Sequence, residues 1–75
     1  MTTADEVRER ALALARSKTE QDEALRDLQE CCGDRRVSAV RARQQLVAWL
    51  DSETDQPDAM RAIELLDELL DRLPA

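Results

Sequence analysis

From Val7 onward, apolar side chains recur by alternating steps of four and three: Val7, Ala11, Leu14, then, past Lys18 and Gln21, Leu25, Leu28 and Cys32. This is a heptad stripe with two polar interruptions in its middle. Thr3-Ala-Asp-Glu6 reads as a capping box, in which a hydroxyl accepts from a free backbone N–H and a carboxylate reaches back. No Gly or Pro interrupts the chain before Gly33, so the spacing predicts one helix over about residues 4–32. Gly33 suits the left-handed residue that ends a helix, and Asp34 suits the cap of the next. The second helix is predicted over about 35–51, with Ala39, Val40, Leu46, Val47 and Leu50 on one arc and Trp49 at its edge. "DSETDQP" is polar, Thr54 or Asp55 can cap a third helix, and Pro57 is tolerated in its first turn. That third helix, about 56–73, aligns Ala59, Ile63, Leu66, Leu70 and Leu73, with Ala62, Leu65 and Leu69 beside them, and Pro74 stops it.

No segment alternates with strand period, and the connections are short, so the expected fold is all-α. It is a small antiparallel three-helix bundle, built of helical hairpins with a long first helix, in a single domain over 1–75. Helix lengths then conflict. At ~1.5 Å per residue the second and third helices reach ~25 Å, whereas the first exceeds ~40 Å. Folded back about Gly33, the second helix covers the first only as far as Leu14. The stripe of Val7, Ala11 and Leu14 overhangs with nothing on it. Ser17-Lys18-Thr19-Glu20 matches a second capping box, and a break there would fold the N-terminal piece back as a fourth helix. Such a turn usually carries Gly or Asn, and none is present. The preferred resolution is that another molecule, a second copy or a different protein, covers the stripe.

Composition narrows the classes. Seventy-five residues make one small, marginally stable domain. With 37% charged residues but 43% apolar ones at helical spacing, the chain is expected to fold. The net charge of −6 is uneven. Residues 1–32 hold eight acids and five bases, 33–50 one acid and four arginines, and 51–75 eight acids and two bases. A basic middle between acidic ends draws the segments together, while a net acidic chain makes a poor nucleic-acid binder. No apolar run approaches the ~20 residues of a membrane span, and "MTTADEVRER" lacks the features of a signal peptide. Adjacent cysteines form no disulfide framework, so a reducing cytoplasm is expected. The preference for arginine over lysine, with abundant Ala, Leu and Asp, points to a bacterial or phage coding sequence.

Candidate chemistry is sparse. Cys31 and Cys32 continue or flank the apolar stripe. A zinc site wants four ligands at set spacing, and the chain has two thiols and no histidine. Thiol oxidoreductases use Cys-x-x-Cys. The pair therefore reads as small apolar packing residues at a helix end, the alternative being a thiol or metal protein. Arg36 and Arg43 share a face with Val40, Val47 and Leu50, and folding about Gly33 places Arg43 opposite Asp22 and Glu23. The preferred reading is an internal ion pair or a snorkelling side chain, the alternative a basic surface for an acidic partner. "RRVS" around Ser38 resembles a short basic-directed kinase site, a match frequent by chance. Glu64, Asp67, Glu68 and Asp71 share one face of the third helix. They form either a solvated face or a ridge complementary to a basic partner. No calcium-loop spacing accompanies them. Trp49, the only aromatic residue, is expected at the core edge and able to anchor an interface.

With no histidine, tyrosine or phosphate-binding glycine loop, no catalytic set is expected, and no cofactor or metal. The expected function is a small acidic, non-enzymatic protein–protein interaction module: an adaptor, inhibitor or chaperone-like subunit. It would bind through Val7, Ala11, Leu14, Trp49 and the acidic Glu64, Asp67, Glu68 and Asp71. A structural homodimer is the alternative.

Overall fold

The computed structural model describes residues 3–33, 36–52 and 57–73. Among them it is all-α, with four helices rather than three: α1 (Ala4–Arg16), α2 (Gln21–Cys32), α3 (Arg36–Ser52) and α4 (Pro57–Arg72). The predicted long first helix is two helices. The longest dimension of the molecule is 32 Å, too short for the ~40 Å rod that residues 4–32 would form unbroken.

The break falls at the second capping-box sequence, but its chemistry is that of a helix end. Lys18 takes the left-handed conformation, with φ 56°. Its N–H donates to Ala15 O at 3.2 Å, and the Thr19 N–H donates to Leu14 O at 3.2 Å. This pair of bonds is the Schellman arrangement, with lysine where glycine is usual. The Ser17 hydroxyl adds a bond to Leu14 O at 3.1 Å, and the Ser17 and Thr19 hydroxyls bond each other. Glu20 sits at the N-cap of α2 without a side-chain capping bond.

Magnitudes explain why the chain bends here. A left-handed L-residue costs ~1–2 kcal/mol. Burying a large aliphatic side chain contributes ~1.5–3 kcal/mol, and the bend lets α1 bury Val7, Leu12 and Leu14 together with Ala11 and Ala15. Several favourable burials outweigh one strained residue and a few lost intrahelical bonds.

The other ends obey local rules. Thr3 Oγ1 accepts from the Glu6 N–H at 3.2 Å, which is the hydroxyl half of the expected capping box. Asp5 and Glu6 face the positive end of α1, and Arg16 its negative end. Gly33 ends α2 with φ 60° and ψ −137°. The φ is positive as expected, but the ψ lies far from the left-handed helical value. Pro57 occupies the first position of α4, where its missing N–H is no loss. The expected caps at Asp34 and at Thr54 or Asp55, and the stop at Pro74, lie outside the described residues.

Packing is not a hairpin stack about Gly33. Helix α3 packs most closely on α4, α1 lies against both, and α2 rests on α1 and α4 while barely touching α3. The core combines leucines from all four helices with fully buried Ala11, Ala24, Ala39, Ala42, Ala59 and Ala62. Alanine at these positions lets the helix backbones approach closely, and no polar or charged described residue is buried among them. On α3 the buried line is Ala39, Ala42 and Leu46. Val40, Leu50 and Trp49 are only half-buried, and Val47 is exposed. The buried arc is rotated from the predicted one, α3 being packed by both α1 and α4.

Candidate interaction site

The predicted contact residues separate into two groups. Val7 and Ala11 have no exposed surface, and Leu14 is 8% exposed. The overhang that would offer them to a partner does not exist, because the bend at Lys18 turns the stripe inward. Trp49 is half-buried, as expected, and lines a cleft of about 360 Å³ with Arg8, Glu9, Leu12 and Arg16. Glu64, Asp67, Glu68 and Asp71 all lie exposed along α4.

The acidic ridge is partly neutralised from within. Arg43 Nε donates to Asp67 Oδ1, and Arg61 pairs with Glu64 at 3.4 Å. Among the described residues, Glu68 and Asp71 make no ion pair. Arg43 therefore has an internal carboxylate partner, but on α4 rather than the expected Asp22 or Glu23. Asp22 instead pairs with Arg72 at 3.8 Å. Both result from the helix arrangement: the neighbour of α3 is α4, and the end of α4 comes back to the start of α2. Arg36 also reaches α4, donating to Leu70 O at 2.8 Å in its last turn, where a cation suits the helix dipole.

Among the described residues, three large apolar side chains are exposed: Val37 (65%), Met60 (58%) and Val47 (36%). All three lie on α3 or α4, and none on α1 or α2. Between these helices runs a groove of about 430 Å³, lined by Arg36, Val40 and Gln44 on one side and Asp67, Leu70 and Asp71 on the other. The sequence pattern did not single out Val37 or Met60, and it assigned Val47 to the core. A helical wheel carries the missing signal. Val37 falls opposite Ala39, and Met60 about 100° from Ala59, so neither shares the buried line of its helix.

Cys32 is buried and Cys31 half-buried, with no disulfide to either. The Cys32 thiol donates to Gly33 O at 3.4 Å. Cys31 borders a shallow depression beside Asp5, Glu6, Glu9 and Arg10. Among the described residues, no three Cys, Asp or Glu side chains are placed to share a metal ion, and no helix is long and apolar enough to cross a membrane.

In comparison with known proteins, no family model matches this chain, and no curated protein or solved structure matches it.

Proposed function

We propose that the chain is a small non-enzymatic protein-interaction module whose contact face is the outer side of α3 and α4. The observation that carries this reading is that the three large apolar residues exposed among the described residues all lie on those two helices. Apolar side chains flanked by charges mark contact surfaces, and here Glu64, Glu68 and Asp71 supply the flanking charge. The acidic ridge keeps the role expected for it, orienting a partner and raising the on-rate. The apolar anchor moves from α1 to α3 and α4. A helical surface of this size suits an adaptor, inhibitor or chaperone-like subunit, and the reducing cytoplasm suits two adjacent unbridged thiols.

Site-specific cross-linking in living cells tests the face. A photoreactive residue at Val37 or Met60 is expected to form a covalent protein adduct, while one at Glu23 on exposed α2 is not. Equal adducts from all three positions, or an adduct from Glu23 alone, would remove the α3–α4 face from consideration.

A further inference from the structure

We infer that the occupant of this face is a second copy of the same chain, related by a two-fold axis running along the α3–α4 seam. This rests on the reading of that face as the contact surface. Charge is the first argument. Helix α3 carries Arg36, Arg41 and Arg43 against Asp51, and is the only described helix with a net positive charge. Helix α4 beside it carries Asp58, Glu64, Asp67, Glu68 and Asp71 against Arg61 and Arg72. Two of those arginines turn to α4 of their own chain, Arg36 to Leu70 O and Arg43 to Asp67, and Asp58 and Arg72 pair with α1 and α2. Among the described residues the charges left for a partner include Arg41 on α3 and Glu68 and Asp71 on α4. A partner of a single sign gains at one helix and is repelled at the other. A two-fold axis parallel to the helices sets α3 of each copy over α4 of the other, so that basic meets acidic twice.

Register is the second argument. Arg36 bonds at the level of Leu70, and Arg43 pairs with Asp67. Continuing that antiparallel register puts Arg41 level with Asp67 and Glu68, and Val47 level with Met60 and Arg61. An axis along the seam preserves these levels between copies. Arg41 of one copy then lies over Glu68 of the second, and Val47 over Met60. Among the described residues, neither Arg41 nor Glu68 makes an ion pair within its own chain. Arg41 with Glu68, and Val47 with Met60, become each other's partners under one symmetry operation, while Val37 falls level with Asp71.

The dimer is weak. Two helices ~25 Å long and ~10 Å apart present ~500 Å² per copy, at the low end for a specific interface. Each copy also carries −6, a repulsion that salt screens. Association therefore depends on concentration.

Sedimentation equilibrium of the full chain at physiological salt, from micromolar to millimolar, tests this. The mass is expected to rise from 8.5 kDa toward twice that value. Arg41→Glu and Glu68→Arg should each weaken association about tenfold, and the double variant carrying both should restore it. Glu23→Arg should have no effect. Circular dichroism of each variant checks that the helices persist. A wild-type mass of one copy at every concentration overturns the second-copy inference, while the cross-linking result still decides the face. A dimer that Arg41→Glu and Glu68→Arg leave intact overturns this arrangement of the second copy, and the cross-linking result again decides the face.

Discussion

Lysine at a left-handed position is a local penalty that a single substitution can relieve. Lys18, at φ 56°, bears ~1–2 kcal/mol that glycine would not, although glycine returns ~0.5–1 kcal/mol as extra freedom in the unfolded chain. Lys18→Gly is expected to stabilise by up to ~1 kcal/mol. It should appear as a higher urea midpoint with an unchanged slope. Gly33→Ala should act in the opposite direction. No heavy atom lies within 4 Å of the added methyl, so the cost is backbone strain alone at φ 60°, ψ −137°, ~1–3 kcal/mol. A neutral Gly33→Ala or a destabilising Lys18→Gly would contradict the conformations described. The break was half legible in the residues. Ser17-Lys18-Thr19-Glu20 marked the place, but the absence of glycine argued against a turn. That rule holds only where nothing larger opposes it, and here the burial of α1 does.

Helix α1 changes from an arm to a wall of the core. Were it an overhang, residues 1–14 would be dispensable for folding. In the structure they include Val7, Ala11, Leu12 and Leu14, all buried. Deleting residues 1–14 is therefore expected to abolish the cooperative unfolding transition seen by circular dichroism, because α3 and α4 both lose the helix that covers them. A truncated chain that still melts cooperatively would show that α1 is not part of the core. The readable boundaries were the Thr3 cap, Gly33 and Pro57, which act through local backbone chemistry; the boundary between α1 and α2 was not among them. The buried face of α3 was less readable. Ala42 is smaller than Val47 yet lies inward, because apolar residues surround much of that helix and only its neighbours choose the side.

Taken as a body, the protein holds itself together by apolar packing. At ~0.05–0.15 kcal/mol per residue, a chain of this length has ~4–11 kcal/mol of stability. Leu66 is fully buried on α4, and Leu66→Ala should cost ~2–5 kcal/mol. That is about half of the total, and thermal unfolding should show a large drop in melting temperature. The ion pairs matter less. Among the described residues every one joins side chains at least 30% exposed, and such pairs contribute ~0–1 kcal/mol each. Their use is in register, as where Arg43 ties α3 to α4. A melting temperature barely moved by Leu66→Ala would mean that stability resides elsewhere.

The order of apolar and polar residues was enough to establish an all-helical chain, the ends of its helices near Thr3, Gly33 and Pro57, and an acidic ridge along α4. Each of these depends on a few neighbouring residues and on backbone geometry that repeats within one turn. The bend at Lys18, the inward turn of Val7 and Leu14, the pairing of Arg43 with Asp67 and the exposure of Val37 and Met60 depend on which helix lies next to which. Tertiary packing decided them, because several kcal/mol of shared burial outweigh a local preference worth one.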